Sequence, residues 1–366
     1  MNEDFSDDFL KLKKDVREIA DALDQLQYSF TKKTGSSSNS VKGIVEGIIN
    51  GSSVLNQDVF GDGSDGDVII SADTSLTRDM YYDDLTVNTT KTLTTNGFKV
   101  FVKGTLNTIG TGKIASNGNA GGNGATATSD PGGAGGAAGT IAYSTGTLPI
   151  PLVGKGGGAG GAATGGVNNG VVGVAGTNQA KALGNTDAVA GGRGADSNGT
   201  GGAGGAAGTK TGSILSTPRS LIAAYNLFDL AAGTITQFGV APSGGGGGGG
   251  SSGATNTGGG GGGGGSGSSG GVVWIAARFV VNITAEAKGG VGGNGGNGAA
   301  NGGSGGAGGG GAGGNGGAII FLYSKLTTSS LSVAGGAGGT KGTLQSTTLA
   351  TDGTAGNVGV TISLQI

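Results

Sequence analysis

The chain has 366 residues, of which 91 are Gly and none is Cys or His. Glycine at about three to four times its globular frequency rules out an ordinary enzyme core for most of the length. The missing Cys and His remove disulfide frameworks, zinc sites built on those ligands, imidazole-activated nucleophiles and a histidine pH switch. With 21 basic and 23 acidic side chains, no global field points to nucleic acid. Only 5 Pro are present, and no strict Gly-X-Y period accompanies them, so collagen is excluded.

The N-terminus, Met1-Asn2-Glu3-Asp4-Phe5, is acidic where a secretory signal is basic, and no apolar run follows it. No signal peptide and no membrane insertion are therefore expected. Phe9, Leu12, Val16, Ile19, Leu23, Leu26 and Phe30 alternate in steps of three and four, the spacing that keeps one helix seam against a partner. Asp7 and Asp8 in the first turn, Lys32 and Lys33 in the last, and Gly35 beyond them bound a short coiled coil over 1–35 that carries self-association. Packing of that stripe on its own chain is the alternative. Residues 36–60 read as a linker, in which Ile44, Val45, Ile48 and Ile49 fit a helix face that Gly43, Gly47 and Gly51 interrupt.

From residue 61 the texture becomes β-branched and alternating, and 61–118 reads as a β-rich neck of short strands separated by Asp, Asn and Gly turns. Phe98, Val100 and Val102 share one face of a half-buried strand, with Lys99, Phe101 and Lys103 on the other. An internal repeat of strand, strand and glycine excursion starts at Phe98 and returns at Val272 and at Ala318. Both faces of the two later copies are apolar, so they are expected to be the more deeply buried, with Trp274 in the core.

Residues 119–366 form a glycine-rich body. In 292–307, the positions not occupied by Gly fall at 294, 297 and 300 and then at 301, 304 and 307. A period of three matches stacked polyglycine-II-like helices whose bare edges let backbones approach and bond. The uninterrupted runs within 244–265 fit a loose linker equally well. The fold class expected is therefore mostly β with polyglycine-II-like helices, a short N-terminal coiled coil, a β-rich neck and a stacked glycine-rich body.

The chemistry-bearing clusters are few. Asp62, Asp65 and Asp67 lie in a Gly-rich turn but match no calcium-loop spacing, and a solvated turn is the plainer reading. Acids after residue 119 are scattered, so no carboxylate pair for glycan hydrolysis stands out, and no phosphate loop is convincing. A protein without enzymatic activity, cofactor or metal is expected. Two islands depart from the repeat: residues 141–153, with Tyr143 and two prolines, and residues 213–243, with Tyr225, Phe228 and Phe238. They read either as plugs of the glycine stack or as loops presenting Tyr143, Tyr225, Phe228 and Phe238 to a receptor.

An oligomerising N-terminal helix, a neck opening Asp67-Val68-Ile69-Ile70-Ser71 and a glycine-rich body together resemble bacteriophage receptor-binding and tail-fibre proteins. The body looks like the polyglycine-sandwich adhesins at the tips of T-even-like long tail fibres. The resemblance implies a virion location, a homotrimer, attachment to other virion proteins through the N-terminus, and recognition of a host-surface glycan or protein. A head fibre or capsid decoration is the alternative, and an ice-binding or bacterial surface protein a more distant one.

Overall fold

The computed structural model describes residues 59–128, 132–148, 150, 151, 153, 154, 156–161, 191, 194, 237, 238, 259–299, 305–343 and 350–366. Eleven strands fall among them: β1 (Gly66–Ile70), β2 (Thr74–Ser75), β3 (Met80–Val87), β4 (Thr92–Thr94), β5 (Val100–Thr108), β6 (Lys113–Ala115), β7 (Ile150–Pro151), β8 (Gln237–Phe238), β9 (Val272–Glu286), β10 (Ala318–Ser332) and β11 (Val360–Gln365). Every pairing is parallel, so the chain winds in successive rungs rather than folding back as hairpins.

The rungs stack like on like. Met80 lies beside Val100, Val100 beside Ile275, and Ile275 beside Phe321. Leu93, Ile114, Ala285 and Leu331 form a second such column. Leu85, Leu93, Val100, Val102, Leu106, Ile114, Ile275, Ile283, Ile319 and Phe321 join one buried core. The sheet path runs β1-β3-β5-β9-β6-β4-β2, with β10 on the far edge of β9 and β11 beyond it. Its two ends, β1 and β2, are consecutive in the chain, so the sheet curls almost into a closed barrel around that core.

Several expectations are corrected here. Every secondary-structure element lying within the described residues is a strand, so the class of polyglycine-II-like helices behind a coiled coil does not describe this fold; one parallel sheet, with extended glycine segments attached to it, is the frame. The coiled-coil positions Phe9, Leu12, Val16, Ile19, Leu23, Leu26 and Phe30 lie outside the described residues. The repeat's two strands are separate only in its first copy, as β5 and β6. In the later copies they fuse into β9 and β10, 15 residues each. The turn Ile109-Gly110-Thr111-Gly112, with Gly110 at φ 58° and Gly112 N–H closing on the Ile109 carbonyl, has no counterpart between Asn282 and Ala285. Without a residue that favours positive φ, the chain stays extended. The deeper burial expected of the later copies is found: residues 272–277 and 318–322 are buried on both faces.

Candidate functional site

The glycine runs lie side by side as extended segments, 117–127, 132–140, 156–161, 259–271, 287–299, 305–317, 333–343 and 350–359. Segment 259–271 sits at the centre, hydrogen-bonded to five others. Its Gly260, Gly261 and Gly262 N–H groups donate to Gly161, Gly306 and Ala125, and Gly263, Gly264 and Gly265 repeat the rotation onto Gly158, Gly309 and Gly122, all at 2.8–3.0 Å. Three successive donors thus reach three different neighbours, whereas a strand serves two. Such close approach requires bare backbone. A Cβ on Gly265 would collide with the Ala137 carbonyl, and one on Gly311 with the Gly265 carbonyl. The run 259–265 is therefore the buried heart of the lattice, which decides for order the alternative left open for these residues; 244–258 lie outside the described residues.

The lattice has two unlike ends. At one, the segments run straight into the strands: Gly271 N–H donates to Ser116, Ala287 to Ser332, and Gly359 to Val333. At the other, Ala127 N–H donates to Asn297, Gly260 to Gly161, Ala299 to Gly259 and Gly305 to Ala299. With Thr343 N–H donating to Asn297 Oδ1 (2.7 Å) and Ala350 packed on Ala307, these contacts gather the mouths of four connections, 128–132, 161–259, 299–305 and 343–350, at a single tip.

The side chains that interrupt glycine have a definite task. Asn123 Oδ1 accepts Asn294 N–H (2.8 Å), and Asn294 Oδ1 accepts Thr340 N–H (2.9 Å). One level nearer the tip, Thr126 Oγ1 accepts Asn297 N–H (3.4 Å) and Asn297 Oδ1 accepts Thr343 N–H (2.7 Å). Each substituent caps the outermost N–H of the adjoining segment, which has no further backbone to bond. Asn123, Thr126, Asn294, Asn297, Thr340 and Thr343 are all exposed, on a flank where 117–127, 287–299 and 333–343 lie in sequence.

Of the four aromatic residues expected at a receptor contact, Tyr143 and Phe238 fall among the described residues. Tyr143 is 3% exposed, packed near Gly97 and Gly271, and its hydroxyl accepts Val272 N–H (3.3 Å). Burial pushes its phenol up from the ordinary value, with the Val272 hydrogen bond working against the shift. The segment 143–148 docks on the Asn96-Gly97 turn, Thr147 and Leu148 N–H both donating to the Gly97 carbonyl. This is the strand end of the lattice, so this part of the loop plugs the sheet. Tyr225 and Phe228 lie outside the described residues, and Phe238 is on β8, beside Pro151 of β7. Trp274 belongs to the core as expected, 5% exposed, with Phe101 tilted against it at 4.8 Å and Tyr81 stacked on Phe101 at 4.7 Å.

Charged groups are mostly occupied in holding rungs together. Asp65 pairs with Arg78 and accepts Tyr81 N–H (2.7 Å), and the Arg78 hydrogen bond holds its carboxyl below the usual range. Asp62 accepts Ser64 N–H and Asp67 accepts Asp84 N–H, so the Gly-rich acidic turn is tied to protein donors. Glu286 receives Lys113 (2.7 Å), Lys288 (2.6 Å) and Asn117 (3.1 Å). Burial would raise its pKa, but the hydrogen bonds from Lys113, Lys288 and Asn117 outweigh it and hold the carboxyl at about 2. Among the described residues no group of three acids is placed to hold a metal ion, and no helix is long and apolar enough to cross a membrane.

The regular flank of amides was within reach of the sequence, since Asn294 and Asn297 stand at the period of three; what the period does not reveal is which neighbour each amide caps. Set against known proteins, the chain matches no family model, no curated protein and no solved structure.

Proposed function

We propose that the chain is a non-enzymatic virion fibre or spike protein that carries a rigid adhesive tip to a host surface. It would assemble in the host cytoplasm as a homotrimer and join other virion proteins through its N-terminus. The supporting observation is the gathering of four chain connections at the one end of the glycine lattice that lies away from the strands. A scaffold cross-linked in three directions holds such connections in fixed relation, which lowers the ordering cost of binding. The longest connection, 161–259, leaves from and returns to this tip; it contains the 213–243 segment with Tyr225 and Phe228, of which β8 pairs with β7 on the strand side.

The test is attachment of the purified full chain to a panel of bacterial strains. Attachment to particular strains, lost on excision of 213–232 while the thermal transition is retained, supports the reading. Attachment to no strain, together with a position on the capsid of intact particles, identifies a decoration protein instead.

A further inference from the structure

The flank beside the tip carries an unexplained chemical choice. Asp67 Oδ1 accepts Asp84 N–H (3.2 Å), and Asp84 Oδ1 accepts Thr105 N–H (2.5 Å). In the lattice the same relay runs Asn123, Asn294, Thr340. A carboxylate caps a backbone N–H at least as strongly as an amide does, so capping alone does not call for Asn. The neck also shows that acids are tolerated on adjacent rungs. What Asn adds is an NH2 group. Because Oδ1 of Asn123, Asn294 and Asn297 is fixed by the N–H it accepts, Nδ2 of each is fixed too, and none of the three donates to a described residue. The exposed flank thus presents three pre-oriented donors, with the ammonium of the exposed Lys341 close by in sequence to Thr340 and Thr343.

We propose that this flank binds an acceptor-rich polysaccharide of the host surface, its hydroxyl or carboxylate oxygens taking the Nδ2 donors of Asn123, Asn294 and Asn297. This rests on the adhesin reading and names its ligand class. Donors at neighbouring segments and at successive levels of one segment form a grid, and a chain of repeating sugars offers acceptors at repeating intervals. Fixing the amides before binding removes most of their rotamer cost. The flank's own uncapped groups are donors and hydroxyls, and the nearest carboxylate, Asp352, accepts Lys341 N–H (2.8 Å) on the neighbouring segment, so acceptor-rich chains are the complementary class.

Two triple variants separate donor loss from other effects. Asn123→Thr/Asn294→Thr/Asn297→Thr keeps an oxygen to cap each N–H, as Thr126 does, and without changing charge replaces each outward NH2 by a shorter hydroxyl that no longer reaches the Nδ2 position. Asn123→Asp/Asn294→Asp/Asn297→Asp keeps the cap and adds negative charge. The probes are arrayed neutral and uronate-containing bacterial polysaccharides. Wild-type retention on the array, at least tenfold weaker in both variants with unchanged thermal midpoints, is the expected result. Retention unchanged in the Thr variant overturns the proposal, even if the Asp variant is weakened, because charge repulsion alone would then explain the loss. Attachment to cells that protease treatment abolishes, with no retention on the array, also overturns it while leaving the adhesin reading standing. If neither cells nor array retain the wild type, the adhesin reading itself fails. Should either triple variant misfold, Asn297→Thr alone, nearest the tip, is read on the same scale.

Discussion

The neck and the lattice both stack extended backbone, yet they are held by opposite means. In the neck, columns such as Leu85 beside Leu106 and Leu93 beside Ile114 fill a core from which water is excluded, and the backbone bonds only to its two strand neighbours. In the lattice, side chains are absent from the interior of segment 259–265, and each backbone group finds a different neighbour. The neck gains stability from apolar area, about 25 cal/mol per Å². The lattice relies on hydrogen bonds worth about 1 kcal/mol each net, against a larger ordering cost for glycine. A neck can absorb a change of side chain by repacking, whereas a lattice of carbonyls in contact with Cα atoms has nothing that can yield. Six of the eight lattice segments adjoin strands of the barrel-like sheet, which fixes their register at one end, while 132–140 and 156–161 flank β7 of the separate two-stranded sheet.

The sharpest break of this comparison is a single methyl or isopropyl group at the lattice centre. Gly311→Val places side-chain carbon against the Gly265 carbonyl and is expected to cost about 3 kcal/mol or more, with loss of the cooperative thermal transition. In the neck, Gly66 has φ 69° and open space around its Cα, so Gly66→Ala should cost only about 1–2 kcal/mol of backbone strain. Equal thermal shifts in the two variants would erase the distinction between regions.

Next in size is the clamp where the two regions meet. Glu286 ends β9 and holds Lys113 of β6 together with Lys288 of the first lattice turn. Its folded pKa lies below the ordinary carboxylate value, so its stabilisation is fully present above about pH 4.5 and fades as pH falls toward 2. Glu286→Gln is therefore expected to lower the denaturation midpoint at pH 7 by about 1–2 kcal/mol and to leave it unchanged near pH 2. A loss independent of pH would mean that packing rather than charge accounts for the clamp.

Capping side chains come third. Asn294→Ala leaves Thr340 N–H to water, and Asp84→Ala does the same for Thr105 N–H; both sites are exposed, so about 0.5–1 kcal/mol is expected for each in chemical denaturation. The smallest effect belongs to Tyr143→Phe, which removes only the long hydrogen bond from Val272 N–H and is expected to change stability by less than about 1 kcal/mol while the ring stays packed. A larger loss would show that the hydroxyl, not the ring, seats the 143–148 plug.

Much of this was legible in the residues. The strand copies at Phe98, Val272 and Ala318 could be aligned by eye because stacked rungs demand the same apolar phase, and Phe98 to Val102 alternates because one face meets the core. The three-residue spacing of Asn294 and Asn297 was visible because a cap is needed only where a segment turns its N–H outward. Trp274 was identified as core from its place in a repeated strand.

Other features were decided by tertiary structure alone. Tyr143 is an aromatic in a proline-rich loop whichever way that loop turns; its burial follows from the connection 140–153 emerging at the strand end rather than at the tip. The run 259–265 has no side chain to mark it as linker or core, and its central position depends on neighbours distant in sequence, Ala125, Gly158 and Gly309 among them. Composition sets how closely the backbones are able to approach. Which segment lies against which is settled largely by the strands, because their parallel register delivers the six glycine runs that adjoin the barrel-like sheet to their places.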